Sequence, residues 1–474
     1  MVSLPPVLKR VHLIGIGGIG VSAVAKLLRK QGVKVSGSDA TRSEITDELK
    51  KAGAEIFIGH VAEQVPAEAD LVIYSSAIPE TNAERAEARR LGILQLNNFE
   101  FLGAWTEDKQ PVLVCGTHGK STTTALLGSA CLEAHWDPTV IVGSRVPFFP
   151  EGNIFFGQRD LVIIEGDEYE RHFLAFHPSG VIINNIEWDH TDIFPTLENL
   201  ITAFRDLLHR VRDGGLVVAN ADDPRIGTLI GEERQRLEAR KVRIRTFGFA
   251  SHADVQIVDH TPKAGEQMFA LRDEQGMVSR FVLHIPGKMN VMNAAAAMTM
   301  AWSLGVQTEA IRRALGLFSG IWRRFEKVAD QEGMTVISDY GHHPTAVAAT
   351  LAAAKTWFPG RRLVLCFQPH HHRRTKDLFF DFISSFDLAD ALVLTEIYDV
   401  AGREEVQDQH LSSRDLVEAV MRHDAERGAK RVVEYASNPA ESLVTLKRWK
   451  TKGDVLLVMG AGDIYKIAKQ VLDS

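Results

Sequence analysis

Cysteine is scarce in this chain of 474 residues: there are 3, Cys115, Cys131 and Cys366. An odd number so widely spaced argues against a disulfide framework or a cysteine-rich zinc module, and fits a reducing, cytoplasmic setting. Long apolar runs are missing as well. The nearest approach, Asn290–Val306, is alanine-rich and carries Asn293, which predicts a buried helix rather than a membrane span. Val11–Ile19 is short and reads as a strand entering a glycine turn, not as a signal peptide. Nor does one sign of charge dominate. With 54 Lys+Arg against 61 Asp+Glu the net charge is −7, which argues against a dedicated nucleic-acid binder. There is no low-complexity tract and no repeat of solenoid period.

What is present is the composition of an ordinary globular protein, 45% hydrophobic and 24% charged. At roughly 150 residues each, the length predicts about three domains. Strands are expected at Val11–Ile16, Lys34–Ser38 and Leu71–Tyr74, with a helix at Val21–Lys30. Such alternation implies a parallel sheet flanked by helices. Trp105–Gln110 is polar and reads as a linker. A second unit follows, with strands at Pro111–Cys115, Leu161–Glu165, Val181–Asn185 and Leu216–Ala219. Short alternating runs over 244–285, such as Phe281–Ile285, suggest appended antiparallel strands. A third begins near Trp322, with strands at Thr335–Ser338, Leu363–Phe367, Ala391–Thr395 and Val455–Met459. The expectation is three consecutive α/β domains, divided 1–107, 108–321 and 322–474.

Six motifs carry chemistry. Gly15-x-Gly17-x-x-Gly20 follows a strand and opens a helix, where backbone N–H groups and the helix dipole favour an anion. Asp39 ends the next strand, about twenty residues on, where a ribose hydroxyl is read. Packing alone also produces such turns; a nicotinamide cofactor and a UDP group both fit. Gly116-Thr117-His118-Gly119-Lys120-Ser121-Thr122-Thr123 is a shortened phosphate loop. Its backbone would cradle phosphates, Lys120 would neutralise them, and the Ser121 hydroxyl would reach Mg²⁺. The bland alternative is a glycine-rich turn with a surface lysine. Glu165-Gly166-Asp167-Glu168 closes an apolar strand. Acidic clusters are usually solvated, but strand ends are where open α/β sheets bind ligands, and hard oxygen donors suit Mg²⁺. Asn184–His190 also ends a strand; a lone histidine there is as readily structural as a ligand. Asp339-Tyr340-Gly341-His342-His343-Pro344 and Gln368-Pro369-His370-His371-His372-Arg373-Arg374-Thr375 are the last two. Their histidines read as surface loops or a zinc site, and Arg373 or Arg374 as an anion contact.

Together these segments resemble the Mur ligase family of cell-wall amino-acid ligases, in family order and over essentially the whole chain. The resemblance rests on G-I-G-G-I-G at 15–20, S-G-S-D at 36–39, S-S-A-I at 75–78 and G-T-H-G-K-S-T-T-T at 116–124. It continues through E-G-D-E at 165–168, N-I-E-W-D-H at 185–190, N-V-M-N-A at 290–294 and W-R-R-F-E at 322–326. D-Y-G-H-H-P-T at 339–345, Q-P-H at 368–370 and G-A-G-D-I at 460–464 complete it. It implies a Rossmann-like UDP-binding domain, a central ATPase domain with a parallel sheet plus a small antiparallel sheet, and a C-terminal Rossmann-like domain. It also implies an ATP-dependent step of peptidoglycan biosynthesis. A muramoyl carboxylate is activated as an acyl phosphate, and an amino group then attacks it.

By resemblance, Gly116, Thr117, His118, Gly119, Lys120, Ser121 and Thr122 hold the ATP phosphates. Asn290 and Asn293 read adenine, Arg324 reaches the phosphates, and Asp339 binds ribose. Ser121 and Glu165 hold one Mg²⁺, and Glu165 and His190 a second. His343 and Arg374 face the substrate. Gly15, Gly17, Gly18, Gly20, Asp39, Ser75 and Ser76 bind the UDP-sugar. The substrates implied are UDP-N-acetylmuramate and L-alanine, with a monomer or homodimer and no nucleic-acid or membrane partner. Four departures from the family pattern stand out. Ser121 replaces a usual threonine, Met289 a usual histidine, and His371 the arginine of the alanine-adding branch. Glu168-Tyr169-Glu170 and Asp192-Ile193-Phe194 look like a branch that attaches a whole L-alanyl-γ-D-glutamyl-meso-diaminopimelate tripeptide. No lysine lies between His190 and Lys241, so the carbamylated lysine of some branches has no candidate there. A dehydrogenase built on the first glycine loop would leave the loop at 116–124 without a role.

Overall fold

Strands buried on both faces read as unbroken apolar runs, and that is how the centres of all three sheets are written. The computed structural model describes residues 4–331, 333–399 and 410–472. The first sheet holds β1 (Arg10–Ile14), β2 (Lys34–Asp39), β3 (Glu55–Ile58), β4 (Leu71–Tyr74) and β5 (Gln95–Asn97). It is wholly parallel, in the order β3-β2-β1-β4-β5. The order reverses between β1 and β4, and a crevice for a ligand opens at such a switch point.

The second sheet comprises β6 (Gln110–Cys115), β7 (Thr139–Ile141), β8 (Ile154–Phe155), β9 (Leu161–Glu165), β10 (Gly180–Ile183), β11 (Leu216–Asn220), β12 (Arg243–Gly248), β13 (Val255–Lys263), β14 (Glu266–Arg272) and β15 (Val278–Leu283). Its order is β15-β14-β13-β12-β11-β10-β6-β9-β7-β8. The antiparallel strands expected over 244–285 are β13 to β15, and a short parallel pairing of β12 with β13 joins them to the same sheet. The third sheet holds β16 (Glu326–Gln331), β17 (Met334–Asp339), β18 (Leu363–Phe367), β19 (Ala391–Thr395), β20 (Val432–Ala436) and β21 (Val455–Met459), ordered β16-β17-β21-β18-β19-β20.

Element ends differ from the sequence reading where polar residues follow an apolar run. β10 stops at Ile183, so Asn184 and Asn185 leave the sheet for a loop; β1 stops at Ile14. The linker expected at Trp105–Gln110 shrinks, because Trp105 closes the helix Asn98–Trp105 and Gln110 opens β6. That helix packs against residues 169–175 so closely that a Cβ on Gly103 would stand 2.2 Å from the Ala175 carbonyl oxygen. Asn290 and Asn293 lie on the buried helix Lys288–Leu304, as the alanine run predicts.

The first unit is pinned internally by a buried polar cluster. His12 Nε2 lies 2.6 Å from Glu84 Oε2, and both side chains are fully buried. His60 Nδ1 lies 2.8 Å from Glu84 Oε1. Burial alone would raise the Glu84 carboxyl, but hydrogen bonds from His12, Ser38 and His60 bring it below its ordinary value. Removing one member of a buried pair leaves the other uncompensated. Glu84→Ala should therefore destabilise the first unit by about 3–5 kcal/mol. Urea unfolding followed by hydrogen exchange in β1 and β4 measures this; unchanged protection there would show the cluster to be dispensable.

Candidate active site

The topology gathers the motifs. β10, β6 and β9 are neighbours and parallel, so the segments following them emerge side by side at one sheet edge. These are Asn184–His190, the 116–120 loop and the 165–168 acidic segment. In the third sheet β17, β21 and β18 are neighbours, and they deliver Asp339–Pro344, Gly460–Asp463 and Gln368–Thr375 together.

The loop after β6 is held by the loop after β10. The backbone N–H of His118 donates to Asn185 Oδ1 at 2.8 Å, and Thr117 Oγ1 donates to the Glu187 carbonyl at 3.0 Å. Gly119 caps the helix Lys120–Glu133 with φ +84°, a left-handed conformation that favours glycine. A Cβ there would also meet Asn293 Oδ1 at 2.2 Å, so this glycine lets Asn293 reach the loop. Asn290 is occupied, donating to the Pro286 carbonyl at 2.7 Å and accepting from Asn293 at 3.1 Å. Lys120 folds back over its own loop. Its Nζ donates to the Gly116 carbonyl at 2.7 Å and to both Glu168 oxygens at 2.9 and 2.8 Å. Burial works against its charge, but Glu168, Asp167 and Glu165 hold the ammonium above its ordinary range.

Four possible cation donors surround this lysine. Glu165 Oε2 accepts from the Ser121 hydroxyl at 3.1 Å, and its Oε1 from the Gly143 N–H at 2.5 Å. Burial pushes the Glu165 carboxyl up. His190 faces Glu168 rather than Glu165, with Nε2 3.8 Å from Glu168 Oε1. Burial lowers the His190 pKa and so keeps a ring lone pair available. Glu168 is pushed up to about 7 by burial; Lys120 opposes that rise and Asp167 adds to it. The hydroxyl, two carboxylates and neutral imidazole form a donor set that fits a divalent cation.

The position of Glu168 has a measurable consequence. Ionised, it competes with an incoming phosphate for Lys120; protonated, it does not. Metal-free ADP should therefore bind more tightly at about pH 6 than at about pH 8, because the Glu168 pKa lies near 7. Glu168→Gln should keep the tighter affinity across that range. Calorimetric titration of both proteins checks it, and an unchanged profile in the variant would move the dependence to another group.

Across the seam, Arg374 Nε donates to Asp189 Oδ1 at 2.6 Å, with both side chains almost fully buried. Burial opposes the Asp189 charge, yet Arg374 and His190 hold its carboxyl well below the ordinary range. His342 stands 3.7 Å from the other Asp189 oxygen, and burial together with Arg374 lowers its pKa to about 3. His343 Nδ1 lies 3.7 Å from Glu187 Oε2. Arg324 stacks over Tyr340, 4.9 Å from the ring centre, and its charge acts on Glu165. Asp339 spends both oxygens on backbone, accepting from the Phe325 N–H at 2.7 Å and the Gly341 N–H at 2.6 Å. Its side chain thereby shapes the 322–326 turn. The consecutive histidines diverge: His371 and His372 turn to Asp399, at 3.6 and 2.6 Å, while His370 stacks on Tyr398. They do not form a zinc site.

The first glycine loop lies at the switch point between β1 and β4. Gly15 has φ +77°, and a Cβ there would stand 3.0 Å from that of Ser75, the residue that follows β4. The Gly17 N–H donates to Asp39 Oδ2 at 2.9 Å, so one Asp39 oxygen already supports the loop. Gly18 donates its N–H to the Gly15 carbonyl at 3.1 Å, and Gly20 abuts Asn98. Ser76 is half-buried beside Ser75. A cavity of about 550 Å³ runs along the helix Ile19–Lys30, between its Lys26 and Arg29 and the facing Arg145 and Glu151; it is lined by none of the candidate site residues.

Glu168, Asp189 and Glu187 enter the site without being among the residues singled out from the motifs. All three belong to segments the sequence flags. The missing signal is side-chain direction, which the turns after β9 and β10 decide.

Comparison with known proteins covers the whole architecture. Residues 10–110 match the model described as Mur ligase family, catalytic domain; 114–301 the Mur ligase middle domain; and 323–462 the Mur ligase, glutamate ligase domain. The UDP-N-acetylmuramate–L-alanine ligase of Salinibacter ruber is 38% identical, over 98% of this chain and 95% of its own. That of Caldanaerobacter subterraneus is 37% identical, over 98% of this chain and 97% of its own. Among solved structures, the UDP-N-acetylmuramate–alanine ligase of Thermotoga maritima superposes with a TM-score of 0.81 at 28% identity, covering 98% of this chain and 99% of that one. A murein peptide ligase from Psychrobacter arcticus shares the fold, with a TM-score of 0.71 at 22% identity over 98% of each chain.

Proposed function

Because the chain belongs to the Mur ligase family, we propose that it joins L-alanine to the lactyl carboxylate of UDP-N-acetylmuramate at the expense of ATP. The observation that carries this reading is full-length identity of 35–38% to L-alanine ligases, combined with a lysine-bearing phosphate loop set among buried carboxylates. A carboxylate is a poor electrophile, so it must first accept a phosphoryl group. Bringing two anions together requires fixed positive charge. Lys120 supplies it once Glu168 releases its ammonium. The substrate carboxylate takes the γ-phosphoryl group, the alanine amine attacks the acyl phosphate, and inorganic phosphate leaves. Arg374, His342 and His343 close the third domain over this chemistry and keep water out.

Ser121, Glu165, Glu168 and His190 would hold Mg²⁺, which supplies charge neutralisation on the phosphates. The Ser121 hydroxyl on Glu165 and the His190 imidazole facing Glu168 support this assignment. The loop at 15–20 with Asp39, Ser75 and Ser76 would take the UDP-sugar. Asn290, Asn293, Arg324 and Asp339 would line the nucleotide site, with Asp339 acting through the turn it shapes. We divide the domains at 1–107, 108–321 and 322–474. We place the enzyme in the cytoplasm as a monomer or homodimer. Among the described residues no helix is long and apolar enough to cross a membrane.

A second acceptor is favoured by one feature: Tyr169, in the Glu168-Tyr169-Glu170 segment, donates to Asp192 Oδ2 at 3.1 Å. That couples the two segments resembling the tripeptide branch. Phosphate release with ATP, Mg²⁺ and UDP-N-acetylmuramate separates the two readings. Turnover with L-alanine is the expected result. Turnover only with L-alanyl-γ-D-glutamyl-meso-diaminopimelate would replace the proposal with tripeptide ligation.

A further inference from the structure

Three donors, none of them in the Mg²⁺ set assigned above, meet where the second and third domains touch. His118 comes from the phosphate loop, Glu187 from the loop after β10, and His343 from the N-cap of the helix Pro344–Trp357. His118 Nε2 lies 3.3 Å from Glu187 Oε2, and His343 Nδ1 lies 3.7 Å from the same oxygen. The two imidazole rings are 5.0 Å apart. One donor atom from each residue lies within 4.8 Å of the other two.

A tetrahedral ion bound at 2.0–2.2 Å holds its donors roughly 3.3–3.5 Å apart. Two of the spacings, 3.3 and 3.7 Å, lie near that range, and the two imidazole donors lie within 4.8 Å of each other, so an ion would mainly draw the two rings together. His343 is 6% exposed, and among the described residues its Nε2 has no hydrogen-bond partner. Nδ1 accepts the Thr345 N–H at a long 3.3 Å, which puts the ring proton on Nε2; the single Nδ1 lone pair is thus held only weakly by the helix N-terminus and would turn from Thr345 to the ion.

We propose that His118, Glu187 and His343 bind a divalent cation of the zinc class, clasping the phosphate loop to the third domain. Two imidazoles and one carboxylate select a borderline-soft ion, whereas Mg²⁺ prefers oxygen donors such as those around Ser121 and Glu165. The three ligands leave a fourth position open to water or substrate. Only the His118 side chain is used. Its backbone N–H keeps its bond to Asn185, so the loop retains its shape.

The test uses the full-length, tag-free protein, stripped of metal by chelation and then saturated with Mg²⁺ to occupy oxygen-donor sites. Titration with Co²⁺ should give one equivalent bound and the intense visible absorption of a tetrahedral site, which Zn²⁺ then displaces. His118→Ala, Glu187→Gln and His343→Gln should each weaken Co²⁺ binding at least about tenfold. His190→Ala should leave it within about twofold of the parent. Circular dichroism and UDP-N-acetylmuramate binding establish that each variant is folded, and two of the three ligand variants suffice for the comparison. Absence of a tetrahedral band, or binding lost in His190→Ala but kept in His343→Gln and His118→Ala, would overturn the assignment. The readout is independent of which acceptor the enzyme ligates.

Discussion

Lys120→Ala should lower phosphate release by about a thousandfold or more while leaving affinity for UDP-N-acetylmuramate within about twofold. Two arguments set that size. The ammonium is the only cation that the phosphate loop itself carries, and Nζ already makes hydrogen-bond contact with two loop carbonyls and both Glu168 oxygens. Without it, ATP would approach a pocket holding Glu165, Asp167 and Glu168 with Arg324, from the third domain, left to offset Glu165. The helix N-terminal amides remain and account for residual binding. A loss of three decades corresponds to about 4 kcal/mol, at the upper end of what one preorganised donor contributes. The loop proposed for the UDP-sugar lies on a different sheet, at the β1/β4 switch point, so its affinity should be spared. Phosphate release and calorimetric binding of UDP-N-acetylmuramate measure the two quantities separately. An equal fall in both would make Lys120 a structural residue and sink the phosphate-loop assignment.

The sheets were legible because their central strands are apolar on both faces. Leu71–Tyr74, Leu161–Glu165, Leu363–Phe367, Ala391–Thr395 and Val455–Met459 stand where the periodicity puts them. The motifs were legible for a related reason: polar residues directly after such runs lie at strand ends, where α/β sheets bind ligands. What the sequence hides is which way a side chain turns once it leaves the sheet. Glu165 and Glu168 are three positions apart, yet one receives the Ser121 hydroxyl and the other the Lys120 ammonium. Only the turn between them sorts the two. Asp339 looks like a free carboxylate until Phe325, 14 residues earlier, is seen donating its N–H to it. His371 and His372 read as ligands until Asp399, beyond two short helices and a strand, claims both. Each of these facts depends on a partner distant in sequence, and local pattern carries no information about it.

The same reasoning decides how Arg374 acts, and a double-mutant cycle with Asp189 should reveal it. The two side chains are 6% and 3% exposed and joined at 2.6 Å across the domain seam. Arg374 also donates to the His370 carbonyl at 3.1 Å, so its guanidinium is already committed on the third-domain side. Asp189→Ala would leave that guanidinium buried without its counter-ion, a penalty of about 3–5 kcal/mol on the closed arrangement. In the proposed reading closure precedes chemistry, so kcat/KM should fall by about 10²–10⁴-fold. If Arg374 works by pairing with Asp189, adding Arg374→Ala to that variant should cost little further and could restore part of the loss, since the stranded charge is gone. The coupling energy would then account for most of the single-mutant effect. If Arg374 instead grips the substrate, its removal should cost the same in either background. Steady-state kinetics on the four proteins distinguish these outcomes. Strong coupling would make the pair the latch that closes the third domain, and additivity would return Arg374 to direct contact with the substrate.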